Sequence, residues 1–146
     1  MKKILFITCM SFVWSACSAQ KNLSSPETIA ANFFKAHENQ GFNAAFETIS
    51  SYTDVEIKKS LPSLKDTLSQ LIDVVGKTYL GSELLFKKDI SSSLCYRSYI
   101  VKYPLAPLRL TFIFYKPIDE WRIINFSLDG DMASEMQQLG RIYYIK

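Results

Sequence analysis

The chain changes from helical to strand-type residue patterning near its middle, and this change constrains its fold more than any other feature. Residues 25–76 carry apolar side chains at the three- and four-residue spacing of amphipathic helices. Residues 79–128 are rich in β-branched and aromatic side chains, with turn residues at regular intervals. Helices followed by strands indicate an α+β domain, in which N-terminal helices pack on a curved, four-stranded antiparallel sheet.

Two helices are predicted at the start of the domain. Ser25, Pro26 and Glu27 are typical of a helix start, because Ser caps free N–H groups, Pro suits the first turn and Glu favours the positive end of the helix. The first helix should end at Gly41, where glycine can adopt the left-handed conformation. Asn43 is then expected to cap a short second helix.

A third helix is expected to begin only after Pro62, because proline disfavours helical backbone in the residue before it. Ser63 offers a new cap, and Gly76 should end the helix. The preceding stretch, from Asp54 to Lys59, is expected to form only a brief turn. The apolar stripe of this helix comprises Leu64, Leu68, Leu71, Ile72 and Val75.

Four strands are predicted, near residues 79–88, 94–103, 108–116 and 120–128. The connections between them are short enough for hairpins, so the strands should form an antiparallel meander. Alternate residues of the third strand should face the helices, namely Leu108, Leu110, Phe112 and Phe114.

Residues 1–20 carry the three parts of an export signal. Lys2 and Lys3 provide a basic start, an apolar run extends from Ile4 to Trp14, and small residues follow. The apolar run spans 11 residues, whereas a transmembrane helix needs about 20. The pattern therefore predicts an exported protein rather than a permanent single-pass membrane protein.

Two cleavage sites fit the small residues of this leader. Cleavage after Ala19 removes residues 1–19 as a signal peptide and leaves residues 20–24 as a short tether. Cleavage before Cys17 instead removes a lipoprotein signal, residues 1–16, and leaves Cys17 to carry a lipid. The first outcome predicts a periplasmic or secreted protein, and the second predicts a lipoprotein anchored in the membrane.

Charge and length limit the kinds of partner. Lys2 and Lys3 account for two of the 17 basic side chains, so the chain without its leader has 15 basic and 14 acidic side chains. Nucleic acid is not an expected partner, because its binding needs a concentrated basic face. The 127 residues that follow the leader suit a single domain.

The cysteine and histidine contents argue against a disulfide, a metal site and a thiol nucleophile. Cys9 and Cys17 lie in the leader, so Cys95 is the one thiol expected in the domain. Its strand-like surroundings predict a buried, inert cysteine. His37 is the only histidine, which excludes a multi-histidine metal site within one chain, and we expect no cofactor.

The last predicted strand follows a polar turn and contains Trp, a basic residue and an apolar pair, in the segment Asp119-Glu120-Trp121-Arg122-Ile123-Ile124-Asn125-Phe126. This ending, together with three helices followed by twisted hairpins, resembles the NTF2-like (cystatin-like) superfamily and its small exported bacterial domains of unknown function. The resemblance covers about residues 25–130. It implies a cone whose sheet wraps around the first helix, with a pocket at the open end.

The resemblance also implies a range of functions, because NTF2-like relatives include isomerases, dehydratases, ligand binders and assembly or inhibitory modules. An enzyme of this kind would need a group that moves a proton and a tyrosine or acid that stabilises an oxyanion. The candidates here are His37 and a strand tyrosine such as Tyr99. An aromatic core with one hydrogen-bonded histidine fits the sequence better, so a catalytic role is not favoured.

Tyr and Phe make up 18 of the 146 residues, which is more than a core of this size needs. The surplus is expected to line a pocket for a small apolar ligand or to lie on an exposed sheet face. Tyr99, Ile113 and Tyr115 are the candidates for such an interaction patch. The patch would bind a second copy of the chain or another envelope protein.

Residues 131–146 are expected to add a C-terminal helix and tail. Met132 and Met136 align on one side of a short helix that continues to Leu139. Gly140 is expected to end this helix, and the remaining residues have a strand-like composition.

The sequence as a whole favours an exported binding or accessory module of the cell envelope, of NTF2-like form. The alternative is a small-molecule isomerase or dehydratase-like enzyme that uses a pocket in the cone. Contact with the membrane is expected only through a lipid on Cys17.

Overall fold

The computed structural model describes residues 24–53 and 55–144, with the backbone alone described for residues 55, 56, 138, 139 and 142–144. The predictions on the leader, including Cys17, lie outside the described residues. Helices are followed by a four-stranded antiparallel sheet, so the predicted α+β fold class is confirmed. The elements are α1 (Pro26–Gln40), α2 (Phe42–Ser50), α3 (Val55–Val75), β1 (Gly81–Ser91), β2 (Leu94–Lys102), β3 (Leu108–Tyr115), β4 (Arg122–Asp129) and α4 (Met132–Tyr144).

The first helix begins and ends where the sequence predicts. The Ser25 side chain accepts a hydrogen bond from the Thr28 backbone N–H at 3.1 Å, and Gly41 ends α1 with a φ of 86°. The predicted cap at Asn43 is wrong, because α2 already begins at Phe42. Gly41 turns the chain within a single residue, so no separate capping residue separates the two helices.

The third helix is one continuous element of 21 residues that contains Pro62. The predicted interruption at Pro62 and the predicted cap at Ser63 are therefore wrong. Proline in a helix costs about 3 kcal/mol, because it removes one backbone hydrogen bond. Burial of the apolar stripe outweighs that cost, and Leu61, Leu68 and Ile72 are only 5–6% exposed. Gly76, with a φ of 91°, follows the end of the helix as predicted.

The sheet has the strand order β1-β2-β3-β4, and every neighbouring pair is antiparallel. This is the predicted meander, although β1 begins two residues later than expected and extends to Ser91. Register shifts interrupt the pairing in β1 and in β4, where Ile124 is the extra residue opposite Ile113 and Phe114 of β3. Such bulges bend strands and increase their twist.

The register assigns each strand residue to one of two faces, because directly paired residues of neighbouring strands point to the same side. Tyr99 pairs with Leu110, and Arg97 pairs with Phe112, on the inner face that packs on the helices. Ile113 lies on the opposite, outer face.

The core lies between α1, α2, α3 and the inner face of the sheet. The Phe33 ring from α1 lies 5.8 Å from the Phe112 ring and 5.9 Å from the Phe126 ring. The predicted inner face of β3 is confirmed, since Leu108, Leu110, Phe112 and Phe114 are each at most 1% exposed.

The last helix continues through Gly140 to Tyr144, so the predicted break and the strand-like stretch after it are wrong over the described residues. Glycine costs a helix only about 1 kcal/mol relative to alanine, which is too little to end it. Near the start of α4, Glu135 accepts a hydrogen bond from Arg109 at 3.0 Å and is 4% exposed. Because Arg109 is an outer-face residue of β3, α4 begins against the outer face of the sheet.

Candidate functional site

His37, the only histidine, lies on the core side of α1 in a cluster of aromatic rings. Its Nε2 atom lies 2.7 Å from the Tyr103 hydroxyl oxygen, and its ring stacks on Tyr79 with 4.4 Å between ring centroids. Phe33 and Phe42 approach the same ring edge-on. The histidine is 4% exposed. The sequence therefore placed His37 correctly on the buried face, and its hydroxyl partner is Tyr103 rather than Tyr99.

The surroundings of His37 favour its neutral form. Burial lowers the pKa of His37 below its ordinary value, and burial also raises the pKa of Tyr103 far above its ordinary value. Both groups are therefore neutral near pH 7. The Nδ1 atom of His37 has no hydrogen-bond partner among the described residues, so a proton added there would meet no acceptor.

Tyr99 occupies a different part of the core. Its ring lies 4.9 Å from Phe34 and 6.2 Å from Phe112, so it packs between α1 and the inner face of the sheet. The other two members of the expected interaction patch, Ile113 and Tyr115, lie on the outer face. Tyr115 is 42% exposed. The three residues therefore do not share a surface, because the strand register turns Tyr99 inward.

A second polar cluster lies at the opposite end of α1 and is centred on Arg97 of β2. The guanidinium group donates two hydrogen bonds to Glu27 Oε1, at 2.9 and 2.7 Å, and one to Asp89 Oδ1 at 2.7 Å. It also donates to the carbonyl oxygens of Lys88 and Tyr96. Every guanidinium nitrogen thus has an acceptor, although the side chain is only 6% exposed.

The electrostatics of the Arg97 cluster explain why a charge is tolerated at the edge of the core. Glu27 and Asp89 are 60% and 70% exposed, so each remains solvated while it compensates the arginine. Desolvation raises the pKa of Glu27, but the hydrogen bond and charge of Arg97 outweigh that effect and leave the pKa below its ordinary value. The cluster carries one net negative charge.

An open cleft of about 540 Å³ lies beside this cluster. Cys95 reaches its wall but is 1% exposed, and burial raises the pKa of its thiol. The buried cysteine predicted from the sequence is thus confirmed, and the raised pKa disfavours the thiolate that a nucleophile needs. The cleft is lined by Ser25, Pro26, Glu27, Asp89, Ser91, Ser92, Cys95, Arg97 and Trp121.

A smaller apolar groove of about 320 Å³ lies between α2 and α3. Phe46, Leu61 and Pro62 provide its apolar lining, and Lys58 and Lys65 contribute to its rim. Lys65 forms an ion pair with Glu47 at 2.7 Å.

The sequence did not lead to the Arg97 cluster, because its partners are distant along the chain. Glu27 precedes Arg97 by 70 residues, so no local pattern links them. One signal was present: Arg97 alternates with Cys95 and Tyr99 on the side of β2 that faces the core. A charge on a buried face needs compensating partners, so this alternation indicates acidic side chains near that strand.

Comparisons with protein-family models, curated proteins and solved structures find no match to this chain. Within residues 24–53 and 55–144, no group of three or more His, Cys, Asp or Glu side chains could hold a metal ion. Among the helices of this part of the chain, none is long and apolar enough to cross a membrane.

Proposed function

We propose that the chain is an exported binding or accessory module of the cell envelope, with an NTF2-like fold. The proposal rests mainly on the aromatic side chains that fill the space between α1 and the sheet. Phe33, Phe112 and Phe114 are each at most 1% exposed there. Side chains occupy the interior in which an enzyme of this form would hold a substrate, so we expect binding to occur at the surface.

The fold order supports the NTF2-like part of the proposal. Three helices precede a four-stranded antiparallel meander, as the resemblance implies. Bulges in β1 and β4 supply local bending of the sheet. A curved sheet around the first helix is what a cone requires.

Export and anchoring are part of the same proposal. Either Cys17 carries a lipid at the membrane or cleavage after Ala19 releases a periplasmic or secreted protein. Only seven residues separate Cys17 from Ser25, the cap of α1. A lipidated chain would therefore hold the Arg97 cluster and its cleft close to the bilayer.

The binding surfaces proposed are the open cleft and the outer face of the sheet. The cleft offers serine hydroxyls, the partly exposed carboxylates of Glu27 and Asp89, and the Trp121 ring. The outer face exposes part of Tyr115 and Ile124, each 42% exposed. A second copy of the chain or another envelope protein is the proposed partner, and the groove between α2 and α3 is the proposed place for a small apolar ligand.

An isomerase or dehydratase-like enzyme is the second candidate function. The distance of 2.7 Å between His37 Nε2 and the Tyr103 hydroxyl favours it, because these groups can exchange a proton. A substrate would have to displace aromatic side chains to reach them. Conversion of a small carbonyl compound by the protein that Tyr103→Phe abolishes would support the enzyme over the binding module.

In-cell photo-cross-linking tests the binding role. A photo-reactive amino acid is placed at Ser92 on the rim of the cleft, and in a matched control at Lys77, which is 74% exposed and follows the far end of α3. We expect an adduct from position 92 and none from position 77. An adduct of twice the mass of the chain identifies a homodimer, and a different protein identifies an envelope partner. Equal labelling from both positions, or none, contradicts the use of the cleft.

A further inference from the structure

Several connections meet at the end of the molecule where the described chain begins. The β1–β2 turn, the β3–β4 connection and the start of α1 border the same cleft, through Ser92, Trp121 and Ser25 respectively. The Lys116 backbone N–H donates a hydrogen bond to the Ser93 carbonyl oxygen at 2.8 Å and joins the two turns. We call this group of connections the proximal end.

Two large apolar side chains are exposed at the proximal end. Ile118 in the β3–β4 connection is 82% exposed, and Ile90, next to the β1–β2 turn, is 60% exposed. Isoleucine is among the residues most often buried in proteins, and neither of these contributes to the core. Ile118 lies in a connection and Ile90 lies near the end of β1, and their exposure makes both accessible to a partner that approaches this end.

The other side chains of the β3–β4 connection suit a lipid interface. Lys116 lies over the Trp121 ring, with its Nζ atom 5.2 Å from the ring centroid. Tryptophan is enriched at membrane interfaces, and a lysine can extend its charge towards the headgroups. The connection from Lys116 to Trp121 has one basic and two acidic side chains, since Lys116 is opposed by Asp119 and Glu120, so its net charge is negative. Apolar insertion rather than attraction to anionic lipid would therefore provide the contact.

The short segment between Cys17 and the proximal end favours a bilayer as the partner. Residues 18–23 link Cys17 to the first described residue, Ser24. The seven steps from Cys17 to Ser24 span at most about 25 Å when the chain is fully extended, so a lipid on Cys17 would keep this end within about that distance of the membrane. Tethering at such a short distance raises the effective concentration of the surface at the bilayer.

We propose that the proximal end is a membrane-docking surface, in which Ile118 and Ile90 insert into the lipid interface. This inference rests on the proposed lipid anchor at Cys17, which places the surface beside the bilayer. The anchor holds the chain at the membrane, and the two isoleucines orient the domain with its proximal end towards the lipid. The opposite end, which carries Val74 and Leu105, would then point away from the membrane.

Trp121 provides a direct reporter of this orientation. The chain has two tryptophans, and Trp14 is lost with the leader. The full chain is produced in a bacterial host, and the processed protein is reconstituted into phosphatidylcholine vesicles with brominated acyl chains. Bromine quenches tryptophan fluorescence at short range, so we expect Trp121 to be quenched relative to unbrominated vesicles.

Variants matched in charge and exposure separate docking from anchoring. We expect Ile118→Asp to reduce the quenching at least twofold and Ile118→Leu to preserve it. Leu105→Asp is the control, because Leu105 is 77% exposed and its backbone N–H bonds to Val75 at the opposite end. It should leave the quenching unchanged. Equal effects of the two aspartate substitutions, or no quenching of the lipidated wild-type protein, overturn the proposal.

The intact mass of the same sample distinguishes a failure of the proposed lipid anchor from a failure of the proposed docking surface. A mass without lipid on Cys17 overturns the proposed anchor and not the docking surface. In that case the released protein is added to the same vesicles. Quenching of Trp121 that Ile118→Asp reduces supports the surface, and the absence of quenching overturns it.

Discussion

The two ends of α1 bury a polar group in opposite ways. Near its N-terminus, Glu27 helps to hold the guanidinium of Arg97, in which every nitrogen has an acceptor. Near its C-terminus, His37 has one partner, Tyr103, and a second ring nitrogen without one. A buried charge costs several kcal/mol unless it is paired, whereas a neutral ring can be buried with a single bond.

Because of this difference, the two ends of α1 should respond differently to the loss of one partner. Arg97 can lose one carboxylate and keep the other, and both carboxylates stay in contact with solvent. His37 has no second partner among the described residues. The arginine end is therefore redundant, and the histidine end depends on one hydroxyl group.

The largest effect is expected when the arginine end loses both of its carboxylates. Glu27→Ala combined with Asp89→Ala should lower the free energy of unfolding by about 3–5 kcal/mol, because it leaves a buried charge without compensation. Each single substitution should cost less than half as much. Chemical denaturation of the three variants measures these costs.

Arg97→Met is the control for this prediction. It removes the charge and keeps a side chain of similar length, and such replacements are often close to neutral. We therefore expect it to cost less than the double substitution. A double variant no less stable than Arg97→Met would contradict the view that compensation of Arg97 is what the carboxylates provide.

At the histidine end, the loss of one hydroxyl group should have a measurable effect. Tyr103→Phe leaves His37 Nε2 without its partner and should lower the free energy of unfolding by about 1–3 kcal/mol. His37→Phe combined with Tyr103→Phe should recover part of that loss, because no polar atom is then left unpaired. Tyr115→Phe, at a partly exposed tyrosine, is the control and should change stability by less than about 0.5 kcal/mol. Equal losses of stability from Tyr103→Phe and Tyr115→Phe would show that the hydrogen bond to His37 has no special importance.

The two ends should also respond to acid in different pH ranges. The pKa of His37 is lowered in the folded protein, so the unfolded chain binds a proton first as the pH falls through about 6.5. Stability should fall from there until the lowered pKa of His37 is reached. The pKa of Glu27 is also lowered in the folded protein. The ionised Glu27 side chain therefore stabilises the fold above the ordinary pKa of glutamate, and this stabilisation is lost as the pH falls through the pKa of Glu27 in the folded protein.

Denaturation curves across this pH range separate the two contributions. His37→Phe should remove the loss of stability that begins near pH 6.5, by up to about 1.4 kcal/mol per pH unit. Glu27→Gln should leave that loss in place and should reduce the pH dependence of the free energy of unfolding at lower pH. If His37→Phe keeps the wild-type dependence of stability on pH above the range in which glutamate titrates, protonation of His37 is not the cause of the loss of stability.

The smallest predicted effect concerns the cap of α1 beside the arginine end. Ser25→Ala removes the acceptor of the Thr28 N–H and should lower the free energy of unfolding by about 1 kcal/mol. Ser25→Asp restores an acceptor and should preserve most of the stability. If Ser25→Ala lowered the free energy of unfolding as much as the double carboxylate substitution does, the cap and the Arg97 cluster would not contribute independently to stability.

Local signals explain which parts of the fold could be predicted from the sequence. Ser25 and Gly41 act on their immediate neighbours, so the bounds of α1 follow from residue types alone. The alternation from Leu108 to Phe114 reports which side of β3 is buried, because successive strand residues point to opposite faces. The meander followed from short connections between such strands.

Long-range packing explains what could not be predicted. Pro62 argues locally for a helix boundary, but burial of the residues around it keeps α3 continuous. Tyr103 lies 66 residues from His37, and only the folded chain brings the two side chains together. Tyr99 lies in β2 and Tyr103 directly follows it, so the choice between them as the partner depends on how this part of the chain packs on α1, which no local pattern specifies.

We propose that this domain is exported and acts by binding through its surface. Intact mass and cell fractionation of the mature chain test its export, in a bacterial host that exports lipoproteins. We predict a chain that begins at lipidated Cys17 in the membrane fraction, or a chain that begins at Gln20 in the periplasm or medium. A cytoplasmic protein that retains residues 1–19 would show that the chain is not exported.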